Sequence, residues 1–172
     1  NGMRALDYLC FHKKPNIELM KEIIKCGVEL NEINSKRRSY LHYASLNKYS
    51  NKETIEFLID SKCEVNLRNE PIGKTALFYA TKNLNNKIEL TKTLLEKKAN
   101  PNITNGCRFG GNVLHLEIKN ELYSIEIIKL LIEYNVDLNI ENEPNYDPKT
   151  PLFFAAFNNN SDIELLSLLI KN

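Results

Sequence analysis

The sequence predicts an all-α solenoid of about five helix-turn-helix repeats, and three anchors in fixed phase predict it. Leu6, Leu41, Leu77, Leu114 and Leu152 recur at intervals of 35, 36, 37 and 38 residues. Glu18, Glu53, Glu89, Glu126 and Glu164 each follow their leucine by 12 positions. Asn31, Asn66, Asn102 and Asn139 each follow their glutamate by 13. One such spacing could be coincidence. Three in register over 172 residues mark a repeated supersecondary unit.

Each unit reads as two helices. The first opens behind Ser39, Thr75, Asn112 or Thr150, whose side-chain oxygens can accept from orphan N–H groups of the first turn. Pro151 then falls at the first helical position, where a missing N–H costs nothing. The second helix carries its glutamate in the first turn, where negative charge suits the helix dipole. Asn16, Asn51, Lys87, Ser124 and Asp162 precede those glutamates by two, and all but Lys87 suit a cap. Ile23-Ile24, Leu58-Ile59, Leu94-Leu95, Leu131-Ile132 and Leu169-Ile170 share one repeat position and form the buried stripe. One such pair cannot bury its apolar face alone, so the pairs must stack.

Composition narrows the function classes. Hydrophobic residues make up 42% and charged residues 26%, the balance of a folded globular chain. The net charge of +1 argues against a nucleic-acid binder, which carries a basic excess. No apolar run approaches the ~18 residues of a membrane span, and Asn1 opens no secretion leader, so a cytoplasmic protein is expected. Cys10, Cys26, Cys63 and Cys107 form no CxxC pair and take no zinc spacing with His12, His42 or His115. Reduced thiols are expected, with Cys10, Cys26 and Cys63 as packing residues and Cys107 as the exposed one.

Thr150-Pro151-Leu152-Phe153-Phe154-Ala155 and Ser39-Tyr40-Leu41-His42-Tyr43-Ala44 resemble the T-P-L-H-x-A signature of ankyrin repeats. The end of the second helix, Leu131-Ile132-Glu133-Tyr134-Asn135-Val136-Asp137-Leu138-Asn139, is similar to the family's too. The resemblance covers essentially the whole chain. It implies an ankyrin-type solenoid whose repeats, roughly 1–33, 34–68, 69–104, 105–141 and 142–172, are joined by β-turn fingers within a single domain 1–172. Asparagine-to-leucine spacing grows from 10 to 13 along the chain, which implies lengthening fingers. Glu117 takes the slot of Ala44, Ala80 and Ala155 and is expected to snorkel outward or loosen the packing. Lys62 and Lys98 replace a Gly27-type helix terminus, at about 1 kcal/mol each if the left-handed backbone is kept. Both ends fall within a unit, and the last helix lacks a polar capping face. A fragment of a longer array, or an end covered by a partner, is expected.

The residues supply no catalytic constellation, no cofactor loop and no metal set. Gly110-Gly111 is an isolated pair. Cys10 and His12 lie two apart on a helix and would not face one another. His42 and His115 share a repeat position, and the resemblance implies that they brace a turn. Asn31, Asn66 and Asn139 end segments resembling those that asparaginyl hydroxylases modify in ankyrin proteins, although a structural role in the turn is the stronger reading.

The resemblance implies a protein-binding scaffold or adaptor, not an enzyme, with no cofactor, metal or small-molecule substrate. Its partner would be a protein or peptide, not nucleic acid or membrane. A regulatory or targeting arm of an enzyme, and a pathogen-encoded protein acting in host cytoplasm, are the alternatives; the Asn-, Lys- and Ile-rich composition fits the latter. Binding is expected in a concave groove lined by fingers and first helices. The finger candidates are Arg37, Arg38, Arg68, Ile72, Lys74, Arg108, Phe109 and Tyr146. The helix candidates are Tyr43, Leu46, Asn47, Tyr79, Lys82 and Phe154. Tyr8, Tyr43, Tyr79, Leu116 and Phe154 share one position, either as a ladder facing the groove or as half-buried core.

Overall fold

Periodic apolar residues and polar caps give ten short α-helices over the described residues of a computed structural model, which describes residues 3–106, 110–142 and 149–171. In chain order they are α1 (Ala5–Phe11), α2 (Ile17–Lys25), α3 (Tyr40–Leu46), α4 (Lys52–Asp60), α5 (Ala76–Ala80), α6 (Lys87–Glu96), α7 (Val113–Ile118), α8 (Ile125–Glu133), α9 (Pro151–Phe157) and α10 (Ile163–Lys171). Pairing gives five helix-turn-helix units, the all-α ankyrin-type arrangement. No strand forms among the described residues; two isolated bridges, Asn69 with Lys74 and Asn105 with Gly111, close fingers.

The chain divides into two compact units, Asn1–Glu70 with Lys74–Ala99, and Pro71–Gly73 with Asn100–Asn172. In the first, α1, α3 and α5 pack side by side, α2, α4 and α6 back them, and α4 also packs on α6. In the second, α7 packs on α8 and α9, and α9 on α10. The anchor leucines Leu6, Leu41, Leu77 and Leu114 are at most 1% exposed, each burial contributing about 2 kcal/mol. Leu152 of α9 is 36% exposed and Ile170 of α10 69%.

The caps follow the sequence with two exceptions. Asn16, Ser39, Asn51, Asn112, Ser124 and Thr150 accept from the N–H three residues on. Asp162 accepts likewise from Leu165 at 2.8 Å. Thr75 caps α5 without a side-chain bond. At α6 the cap is Asn86, one residue before Lys87, and its Nδ2 donates to the Ser50 carbonyl at 2.7 Å. The helix termini at Lys62, Lys98 and Asn135 adopt φ of 83°, 68° and 58°, beside 82° at Gly27. Four of the five second helices, α2, α4, α6 and α8, thus end through a left-handed residue, whatever its type.

Asparagine is the stitching residue of this chain. Asn31 Nδ2 donates to the Lys62 carbonyl, Asn66 Nδ2 to Lys98 and Asn102 Nδ2 to Asn135, each one repeat ahead. Asn31 Oδ1 accepts in return from Glu64 N–H at 2.7 Å, and Asn102 Oδ1 from Asp137 at 2.6 Å. These bonds give Asn31 and Asn66 the structural role.

Two expectations change. Glu117 does not snorkel: it is 1% exposed, and its Oε1 accepts from Ser124 N–H at 2.8 Å, tying α7 to the start of α8. That N–H offsets part of the cost of burying the carboxyl. Cys26 is not a packing residue: it ends α2 exposed, whereas Cys10 and Cys63 are buried free thiols. Cys107 lies outside the described residues.

Candidate functional site

The fingers are built by a second set of asparagines, three residues beyond the first. Asn34 N–H donates to the Arg38 carbonyl, Asn69 to Lys74, Asn105 to Gly111 and Asn142 to Lys149, at 2.9–3.1 Å. The closed loop grows by one residue at each step, as the spacing requires. Asn34 Oδ1 also accepts from Lys36 and Arg38 N–H, and Asn69 Oδ1 from Lys74 N–H at 2.6 Å. Arg37, at the repeat position of Gly73, is left-handed at φ 59° beside 75° for the glycine.

These asparagines also aim the tyrosines of the first helices. Asn34 Nδ2 donates to Tyr43 Oη at 3.1 Å, and Asn69 Nδ2 to Tyr79 Oη at 2.9 Å. Arg38 lies with its guanidinium carbon 5.6 Å from the Tyr43 ring centroid and 5.7 Å from that of Tyr79. A cation within about 6 Å of two ring faces is held by both. Sequence reading placed Arg38, Tyr43 and Tyr79 in the site separately. It missed Asn34 and Asn69, which the recurrence at Asn105 and Asn142 could have revealed.

Histidine braces the same region from behind. Ser39 N–H donates to His42 Nδ1 at 3.0 Å, so the ring proton sits on Nε2, which faces the Leu67 and Lys74 carbonyls at 3.0 and 3.1 Å. Burial pushes the His42 pKa down to about 4, against the pull of those carbonyls. His115 is likewise lowered to about 4 by burial, with Nε2 at 3.1 Å from the Lys149 carbonyl. Both are neutral turn braces, with the nearest side-chain partner of each, Ser39 and Asn112, being its own helix cap.

The first unit carries Arg37, Arg38, Arg68, Lys74, Leu46, Tyr79 and Lys82 as exposed or half-buried residues. Arg37 donates to the Glu70 carbonyl at 3.3 Å, and Arg68 pairs with the Glu70 carboxylate at 3.5 Å. Tyr43 and Asn47 do not present themselves. Tyr43 is 2% exposed, covered by the edge of Phe11 at 6.0 Å between centroids. Asn47 is 3% exposed, and its Nδ2 donates to the Cys10 and His12 carbonyls. Asn83 repeats that role, donating to the Ser45 and Asn47 carbonyls, so the ends of α1, α3 and α5 are laced together. The shared tyrosine position is therefore neither wholly ladder nor wholly core: Tyr8 is 60% exposed and Tyr79 half-buried.

In the second unit Ile72 is exposed, and its carbonyl accepts from Gly106 N–H at 2.9 Å. Phe154 lines a cleft of about 400 Å³ with Lys119, Glu121, Phe157 and Asn158–Asn160, and Lys119 Nζ lies 4.1 Å from the Phe154 ring centroid. Arg108, Phe109 and Tyr146 lie outside the described residues. Among the described residues no three His, Cys, Asp or Glu side chains group to hold a metal ion, and no helix is long and apolar enough to cross a membrane.

Known proteins with the same repeat chemistry are found in viruses, bacteria and animals. A family model described as ankyrin repeats (3 copies) matches residues 6–105 and again 84–172. An ankyrin repeat protein of fowlpox virus (strain NVSL) is 34% identical over 93% of this chain and 45% of its own length. The human transient receptor potential cation channel subfamily A member 1 is 33% identical over 77% of this chain and 11% of its own length. An ankyrin repeat protein of Rickettsia felis is 32% identical over 56% of this chain and 44% of its own length. The chain thus spans less than half the length of each of these relatives. Ankyrin repeats are non-catalytic scaffolds that bind proteins, and this chain belongs to the ankyrin repeat family.

Proposed function

We propose that the chain is the partner-binding segment of a longer, pathogen-encoded adaptor that engages a host protein, acting in host cytoplasm. The observation that carries this reading is the likeness to the fowlpox virus ankyrin repeat protein over 93% of the chain. The Rickettsia felis relative and the Asn-, Lys- and Ile-rich composition support it. The contact face we assign is that of α1, α3, α5 and the finger residues of the first unit, where Arg38, Leu46, Tyr79 and Lys82 remain accessible. Aromatic and arginine side chains held in place are the usual energetic centres of an interface.

Affinity capture from vertebrate cell lysate, read by mass spectrometry, tests this. A host protein captured by the chain should be lost by the triple variant Arg38→Ala, Tyr79→Ala, Lys82→Ala, provided the variant keeps its helical circular dichroism. A host protein held equally well by the folded variant would move the contact elsewhere, and Phe154 with its cleft would be the next candidate.

A further inference from the structure

The geometry points to an acidic peptide segment, with apolar residues interleaved, as the occupant of the finger-and-helix face of the first unit. This rests on the reading of that face as a protein-binding surface and names the chemistry of its partner. Charge is the first argument. Lys36, Arg37, Arg38, Arg68 and Lys74 lie on the two fingers and Lys82 in the turn after α5, and the finger carboxylate Glu70 is already paired with Arg68. The whole chain carries only +1. On α4 and α6 the acids Glu53, Glu56, Asp60, Glu89 and Glu96 are interleaved with Lys52, Lys87 and Lys92, so those helices carry no comparable excess of either sign. The excess of cations is therefore particular to this face, and such an excess selects and orients a partner of opposite charge.

The second argument is the state of Arg38. Tyr43 and Tyr79 lie over its guanidinium, and the asparagines of the two finger bases fix both tyrosines by their hydroxyls. Arg38 makes no ion pair among the described residues. A planar fork held by its faces keeps its N–H edges for a carboxylate, which it can grip through two parallel hydrogen bonds. Because the fork is already ordered, little side-chain entropy is lost on binding.

The third argument is the floor beside it. Tyr8 is 60% exposed and Phe11 48%, and Phe11 meets Tyr43 edge-on. A duplex phosphate backbone has no use for these rings, whereas an apolar residue next to a carboxylate in a peptide does.

Selection of binders from a random dodecapeptide display library against the full chain tests the assignment. Recovered peptides should be enriched in Asp and Glu interleaved with Leu, Phe or Tyr. A synthetic copy of one should bind about tenfold more weakly to Arg38→Gln. Lys82→Glu, at an exposed position with no packing role, should weaken it also and serves if Arg38→Gln does not fold. Binders without acidic enrichment, or acidic binders indifferent to both substitutions, overturn the acidic partner and leave the protein-binding reading standing. A library that yields no binder removes both. A random-sequence duplex DNA that binds more tightly than the peptide, and is lost on the same substitutions, would make the partner a nucleic acid and overturn the assignment.

Discussion

Acidification should destabilise this protein through His42 before most carboxylates titrate. The ring is 0% exposed, and Ser39 N–H already donates to its Nδ1. A proton added at Nδ1 would set two donors against each other in a space without water. Burial accordingly lowers the pKa from 6.5 to about 4, with Arg38 adding to the effect and the Leu67 and Lys74 carbonyls opposing it. Since the folded pKa lies below the unfolded one, the unfolded chain binds the proton more readily. The contribution is complete above pH 6.5 and is lost as pH falls toward 4. The full loss is about 3 kcal/mol, of which about 2 is reached by pH 5. Stability in urea at pH 7 and pH 5, for the wild type and for His42→Gln, isolates the effect: the wild type should lose about 2 kcal/mol more than the variant. Proton NMR of the folded protein gives the direct reading, because the His42 ring should remain neutral at pH 5. A ring titrating near 6.5, or identical losses in the two proteins, would refute the reasoning.

Two substitutions probe the backbone. Lys62→Gly relieves a lysine held at φ 83°, and should raise stability by about 1 kcal/mol, less a few tenths for the freer unfolded chain. A thermal melt checks it, with Ser61→Gly as control: Ser61 sits at φ −75°, where glycine relieves nothing and should lower the midpoint. Gly111→Ala should act in the opposite sense. Its φ of 148° disfavours any side chain, and an added Cβ would stand 2.7 Å from Cγ of His115, itself 0% exposed. Urea denaturation should show a loss of about 2–3 kcal/mol, and a loss below about 0.5 would mean that the finger shifts freely.

The repeat makes much of this protein legible in its sequence. Leucine, glutamate and asparagine spacing located the helix pairs, because a helix period and its caps are local properties of the chain. The growing asparagine-to-leucine distance gave the lengthening fingers, because closure by Asn34, Asn69, Asn105 and Asn142 fixes both loop ends. The left-handed termini at Lys62 and Lys98 were readable as well, since Gly27 at the same position shows which backbone the turn needs.

The candidate site was legible only as a set of positions. Sequence phase says that Tyr43 and Tyr79 share a face, but not that Phe11 covers Tyr43 while Tyr8 stays open. It places Asn47 at the end of a first helix, but not its amide on the carbonyls of the preceding repeat. It marks Glu117 as out of pattern without showing the Ser124 N–H that accommodates it. By itself the sequence determined period, caps, loop lengths and which residues share a face, because these follow from bonds along one chain. Tertiary structure decided which of those residues meet a partner from the next repeat and which meet water. That depends on contacts some 35 residues away, and it is why Arg38 is recognisable as a held cation, without an ion pair among the described residues, only once the tyrosines on either side of it are in place.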